Sequence, residues 1–247
     1  MFKYETHCHT SPASACAKAS VSETVQFYKC IGYDGIFITN HFLDGNINKE
    51  ISELPSYSQK IERYFEDYEY GVKEGKRLGI DVFCGVELSY KGTDFLIYGL
   101  EKEWYLAHPE ILDMKKSEEL MFLMREGALV IQAHPFRERH YIDHVRLFPK
   151  CVHGVEIYNS SDPESANRMA KQYAAAYDLL TTAGSDNHWG RDVFNTLKAK
   201  NLKPEISGLM TNERIKNEKH FVNLVKSKKF EIFHIGCDSE IQPELTF

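Results

Sequence analysis

"ETHCHTSP", residues 5–12, decides how the rest of the chain is read. It closes a β-rich run at 2–8 that reads as a buried strand, and side chains alternate along a strand, so His7 and His9 face the same way. Two buried imidazoles need a partner, because an unpaired polar group in an apolar interior costs free energy. The same pattern recurs downstream. "GIFITN" at 35–40 is followed by His41, "DVFCGVEL" at 81–88 closes around Glu87, "ALVIQAH" at 128–134 ends on His134, and "LLTTAGSD" at 179–186 ends on Asp186 with His188 two residues on. Runs at 94–100, 154–159 and 230–235 complete the strand candidates.

Helix-like runs separate these strands. Ser20 to Glu23 has the spacing of a capping box opening a helix to about Cys30, with Gly32 as the stop signal. Ser161 to Glu164 repeats the device, with Pro163 in the first turn of a helix through "ANRMAKQYAAAYDLL". Further helices are expected across 57–77, 117–126 and 216–227. Strand and helix alternating seven or eight times predict a parallel sheet with helical crossovers. At 247 residues a closed barrel is favoured over an open doubly wound sheet. No GxGxxG or P-loop follows a strand, so the common nucleotide-binding sheet has no support.

The chain is 43% hydrophobic with a formal charge of -6. That is ordinary globular composition with no general attraction for a polyanion, so nucleic acid is a weaker expectation than a small molecule. The six cysteines form no CxxC pair and no dense framework, as in reduced intracellular proteins. With no signal peptide and no membrane-length apolar run, the expectation is one cytoplasmic domain over 1–247 with no membrane partner.

In a barrel of parallel strands the C-terminal strand ends converge on one face, so the scattered His, Glu and Asp residues become one cluster. His7 with His9 forms a pincer, as does Asp186 with His188 if strand geometry continues that far. Mixed His, Asp and Glu sets suit zinc, manganese or iron, and a carboxylate such as Glu87 can bridge two ions. Any single histidine here is more simply a hydrogen-bonded core residue. Several strand ends agreeing are explained by a cation, because burying that many unpaired charges would cost several kcal/mol each. His108, His140, His144, His153, His220 and His234 carry no such pattern.

The ordered set "THCHT", "ITNH", "GVELS", "QAHP", "GVEIYN" and "GSDNH" resembles the PHP (polymerase and histidinol phosphatase) family of metal-dependent phosphoesterases. The resemblance implies an α/β fold, a distorted (β/α)7 TIM-like barrel with two or three divalent ions (Zn, Mn or Fe) at the C-terminal strand ends. It implies a first ion held by His7, His9, Glu87 and Asp186, a second sharing Glu87 with His134, and a third using His41 and His188. Two positions depart from the family. Where it usually has a further Asp or His after the HxH, this chain offers Cys16, either a thiolate ligand or a short buried thiol. Where it often has a His opening the fourth strand, this chain has Asp94, which either completes the second site or caps the strand. Glu156 is expected behind the ligands or in the scaffold.

The implied reaction is hydrolysis of a small phosphomonoester, as in a histidinol phosphatase, by metal-activated hydroxide. Arg137 could clamp the phosphoryl oxygens or form a surface salt bridge, and Asp186 or His188 could manage protons. Alternatives are a DNA or nucleotide phosphodiesterase, an exonuclease, or a non-catalytic module stabilised by its metals. Sugar, nucleotide and phosphotyrosine esters are candidate substrates beside histidinol phosphate. Loops at 42–57 and 136–150 are expected to shape the pocket.

Overall fold

The computed structural model describes residues 1–189, 195–196 and 204–235, so Cys237 lies outside the described residues. Among the described residues nine strands are ordered β7-β6-β5-β4-β3-β2-β1-β8-β9. They are β1 (Phe2–Cys8), β2 (Gly35–Ile38), β3 (Asp81–Tyr90), β4 (Thr93–Tyr98), β5 (Leu129–Ala133), β6 (Gly154–Asn159), β7 (Leu180–Gly184), β8 (Ile206–Thr211) and β9 (Glu231–Ile235). Helices α1 (Val21–Cys30), α2 (Lys49–Ser52), α3 (Tyr57–Leu78), α4 (Lys102–Ala107), α5 (Lys116–Arg125), α6 (Glu164–Tyr177) and α7 (Glu218–Lys226) connect them.

The first seven strands curl into a nearly closed barrel whose seam lies between β1 and the chain leaving β7. Asp186 N–H donates to His7 O at 2.7 Å and His9 N–H to Asn187 O at 3.0 Å. Glu5 Oε1 stitches the seam, accepting from His7 N–H at 2.8 Å and Ser185 N–H at 2.9 Å. A Cβ at Gly184 would run into the His7 side chain, so the close approach of β7 to β1 requires glycine there.

The sheet is less uniform than the alternation predicts. β1–β2, β2–β3, β5–β6 and β6–β7 pair in parallel, but β4 runs antiparallel between β3 and β5. The cause is the two-residue link Lys91–Gly92, with both residues at positive φ (53° and 78°), a hairpin turn too short for a helical crossover. As a result β4 begins, rather than ends, at the rim where its parallel neighbours end. The sequence expectation had no β8; this strand and β9 extend the sheet antiparallel from the first half of β1.

Inward faces supply Phe37, Phe83, Leu96, Tyr98, Leu129 and Ile131 to one buried cluster, onto which α7 packs Phe221, Val222, Leu224 and Val225. The Phe221 ring lies 4.3 Å from that of Phe37 and 5.1 Å from that of Tyr98. Each such buried side chain contributes about 1.5–3 kcal/mol. Outward faces of β3 to β5 pack Cys84, Val86, Leu88, Phe95, Ile97 and Val130 against α3, α4 and α5.

The Ser20–Glu23 capping box forms as expected, and α3 opens on an unforeseen one between Ser56 and Gln59. The box expected at Ser161 does not form. Helix α6 starts at Glu164 behind Pro163 with no side-chain cap, because Ser161 Oγ donates instead to the carbonyls of Ser185 (2.9 Å) and Asp186 (3.1 Å). Among the described residues no helix is long and apolar enough to cross a membrane.

Candidate metal centre

The strand ends and the start of β4 bring His7, His9, His41, Glu87, Asp94, His134, Asp186 and His188 to one rim. Glu87, on β3, is the hub. Its Oε1 lies 3.1 Å from His7 Nε2 and 3.4 Å from His134 Nε2, and its Oε2 lies 2.8 Å from His41 Nδ1 and 3.3 Å from His9 Nε2. Asp186 Oδ1 lies 3.2 Å from His9 Nε2 and 3.4 Å from both His7 Nε2 and His188 Nδ1. Four overlapping triplets each bring ligand atoms within 4.8 Å of one another: His7, His9 and Glu87; His7, His134 and Asp186; Glu87, Asp94 and His134; and His9, His41 and His188.

Asp186 and His188 do not reach the rim as a strand pincer. Strand β7 ends at Gly184, and Asp186 turns into the left-handed region (φ 52°), as does His134 just past β5 (φ 26°). Non-glycine residues held there cost on the order of 1–3 kcal/mol and cluster at functional sites.

Partners behind the rim set the tautomers of His7, His9 and His188. His7 Nδ1 faces Glu156 Oε1 at 3.1 Å, so Nδ1 carries a proton and Nε2 is the nitrogen left for a cation at the rim. Glu156 Oε2 also accepts from Asn159 Nδ2 (2.8 Å) and His134 N–H (3.3 Å). Ser14 Oγ donates to Asn40 Oδ1 at 2.9 Å, so it accepts from His9 Nδ1 and from His41 N–H, both at 3.0 Å. His9 Nε2 is thereby left bare as well. His188 Nδ1 donates to the Asp186 carbonyl at 2.9 Å and likewise frees its Nε2. Glu156 was the only one of these supports that sequence reasoning singled out. Ser14 and Asn40 went unnoticed, although Asn40 sits next to His41 in "ITNH".

Electrostatics follow from this crowding. Burial lowers His9, and His188 and His41 lower it further, to about 4, which keeps it neutral and able to ligate. Burial raises Glu87, but His41, His7 and His9 outweigh it and hold the carboxyl well below its usual range. Asp186 is held low in the same way by Arg137, His7 and His188. Burial, then the Glu87 charge, push Asp94 up.

Both oxygens of Glu87, Asp186 Oδ1 and His41 Nδ1 are buried without a hydrogen-bond partner. The contacts of 2.8–3.4 Å around Glu87 bring polar atoms together without the alignment of hydrogen bonds. Leaving these groups uncompensated would cost several kcal/mol per charge. The donor set fits divalent cations, with imidazole nitrogens and carboxylate oxygens shared between adjacent positions.

The rim opens into a cleft of about 580 Å³ whose lining includes Lys91, Arg137, Arg139 and Tyr141. The loops at 42–57 and 136–150 both contribute lining residues, Asp44, Gly45 and Asn46 from the first and the two arginines and Tyr141 from the second. Arg137 is not a surface pair. Its side chain is 11% exposed, and Nη1 lies 2.5 Å from Asp186 Oδ2 while Nε donates to Asp162 Oδ1 at 2.8 Å. Cys16 and Trp189 lie at the His188 end of the cleft. His108, His140, His144, His153, His220 and His234 fall outside the cluster.

No family model matches the chain, and no curated protein matches it in sequence. Solved structures share its fold. A two-domain protein of Bacteroides vulgatus containing a predicted PHP-like metal-dependent phosphoesterase aligns with a TM-score of 0.65 at 16% identity, over 94% of this chain and 64% of that one. This chain therefore spans just under two thirds of that protein's length. A protein of Bifidobacterium adolescentis provisionally assigned as a metal-dependent phosphoesterase aligns with a TM-score of 0.50 at 13% identity, over 81% of this chain and 96% of that one. An amidohydrolase of Chromobacterium violaceum aligns with a TM-score of 0.51 at 12% identity, over 80% and 96%. What these neighbours have in common with this chain is the fold, a mixed α/β barrel of the PHP type.

Proposed function

We propose that this barrel is a metal-dependent hydrolase of phosphate esters, acting on a small phosphomonoester. The observation that carries the reading is the set of buried, donor-less oxygens of Glu87 and Asp186 facing a cleft walled by Lys91, Arg137 and Arg139. Such a site asks for cations on one side and offers them to an anion on the other.

His7, His9, Glu87 and Asp186 would hold one ion, Glu87, Asp94 and His134 a second, and His41 with His188 a third. Divalent ions bound there would supply the Lewis acid and lower the pKa of a water toward about 7. The chain's own groups do the rest. Arg137, oriented by Asp162, would neutralise charge developing on the phosphoryl oxygens. His188, whose Nε2 is left for the third ion because Nδ1 is tied to the Asp186 carbonyl, would be held in the ligating orientation at the cleft mouth. The cleft volume of about 580 Å³ suits a small molecule better than a duplex. The net charge of -6 points the same way. The sulfate bound to the Chromobacterium amidohydrolase is consistent with a tetrahedral anion on this fold.

The test is turnover by purified, metal-reconstituted protein of a panel of phosphomonoesters, with a phosphodiester and a lactone as outgroups. Release of phosphate from a monoester, absent in Glu87→Gln, is expected. No turnover above that control rejects the reading, and turnover confined to the lactone or diester moves the chain to a different hydrolase class.

A further inference from the structure

The third cation position is short of ligands if only His41 and His188 serve it. His9 lies within the same triplet, but its Nε2 already faces Glu87 and Asp186 at 3.3 and 3.2 Å. The missing donor is supplied by the loop after β1. Ala15 N–H donates to Asn46 O at 2.9 Å and Lys18 N–H to His188 O at 3.2 Å, so the segment between them is fastened to the cleft floor and to the histidine itself. Cys16 lies in that fastened segment. It lines the cleft beside His41 and His188, and its thiol interacts with both imidazoles. A second observation points into the same position. The Glu87 side chain is 1% exposed, and its Oε2, without a hydrogen-bond donor, lies 2.8 Å from His41 Nδ1.

We propose that Cys16 is a thiolate ligand at the third position, with His41 and His188, making it a mixed sulfur and nitrogen site for a thiophilic divalent ion such as Zn²⁺ or Fe²⁺. This rests on the metal-centre reading above and extends it. Thiolate with imidazole selects softer ions, whereas the Glu87, Asp94 and His134 set is oxygen-rich and suits harder ones such as Mn²⁺. Binding requires the thiol to release its proton to solvent as the ion enters. The centre is therefore chemically heterogeneous, with one ion position exposed to thiol oxidants at the cleft mouth and the others not.

Cobalt substitution reads this directly. Wild-type protein stripped and reloaded with Co²⁺ is expected to show a sulfur-to-cobalt charge-transfer band in the near ultraviolet. Cys16→Ser should lose the band and one ion per chain by elemental analysis while keeping the remaining ions, whose retention certifies its fold. Cys16→His should recover the lost ion without the band. Cobalt bound by wild type with no such band, or a band that survives in Cys16→Ser, overturns the thiolate assignment and leaves the phosphoesterase reading standing. Wild-type protein that takes up no cobalt, zinc or manganese overturns both.

Discussion

Two buried clusters of charge in this molecule are built alike and balanced differently. Beneath the 42–57 loop, Lys116 donates to Asp44 at 2.8 Å and to Glu119 at 2.6 Å. Its side chain is 7% exposed, so the protein supplies its own cation there. At the barrel rim, Glu87 and Asp186 are buried just as deeply, yet the groups around Glu87 are imidazoles and, among the described residues, no lysine reaches it. Arg137 reaches Asp186 through one oxygen only. The first cluster carries its own cation, although Glu119 Oε1 is still left without a hydrogen-bond partner; the second has no such lysine and, on the proposed reading, takes its cations from outside. The number of carboxylates in a buried cluster is thus less informative than whether a cation of the chain itself reaches them.

The largest effect that would break this contrast is ion removal. Chelation is expected to abolish turnover and lower stability by on the order of 4 kcal/mol when the ion stood at a thousandfold over its Kd, measured as a fall in Tm. Glu87→Gln should lose ions and activity together. A chelated protein with unchanged Tm would mean the rim needs no cation. Next, Arg137→Lys keeps the charge but loses the planar fork, and kcat/KM should fall about 100-fold with metal content intact. Loss of ions in that variant would recast Arg137 as scaffold. Glu156→Gln should weaken ion affinity roughly 10- to 100-fold by releasing the His7 tautomer, read by competition with a chelating dye.

The Lys116 cluster gives a smaller, pH-dependent prediction. Burial raises the Glu119 carboxyl and Lys116 lowers it, leaving it at about 7. In the unfolded chain it titrates near ~4.3. Between these values the folded state holds a proton that the unfolded state has released, so this group's contribution to stability falls as pH rises through the window. Glu119→Gln should flatten the loss between pH 5 and pH 8 by about 1–2 kcal/mol in urea unfolding. An unchanged slope would show that Lys116 fully compensates the charge. The smallest effect is expected at His140 and His144. Both are exposed, and alanine at either should leave metal content unchanged.

Much of the rim was legible because its signals are local. The HxH of β1 and the polar residues closing apolar runs mark a strand face or a strand end without knowledge of the fold. What was misread depended on contacts far along the chain. Ile206–Thr211 reads ISGLMT, where Ser207 and Gly208 break the apolar alternation, and its strand state comes from ladders with β1 and β9. Ser161 has capping-box spacing, but carbonyls 24 and 25 residues away take its hydroxyl. The reversal of β4 did leave a trace, the Lys91–Gly92 pair.

By itself, the sequence determined which residues can carry a metal centre and that they sit where strands stop, because residue chemistry and two-residue periodicity are properties of short segments. Only the tertiary structure decided that Asp94 joins the rim from the start of an antiparallel strand, that Glu156 and Ser14 choose which imidazole nitrogens stay bare, and that Cys16 stands beside His41 and His188. Those are relations between segments tens of residues apart, and only closure of the barrel creates them.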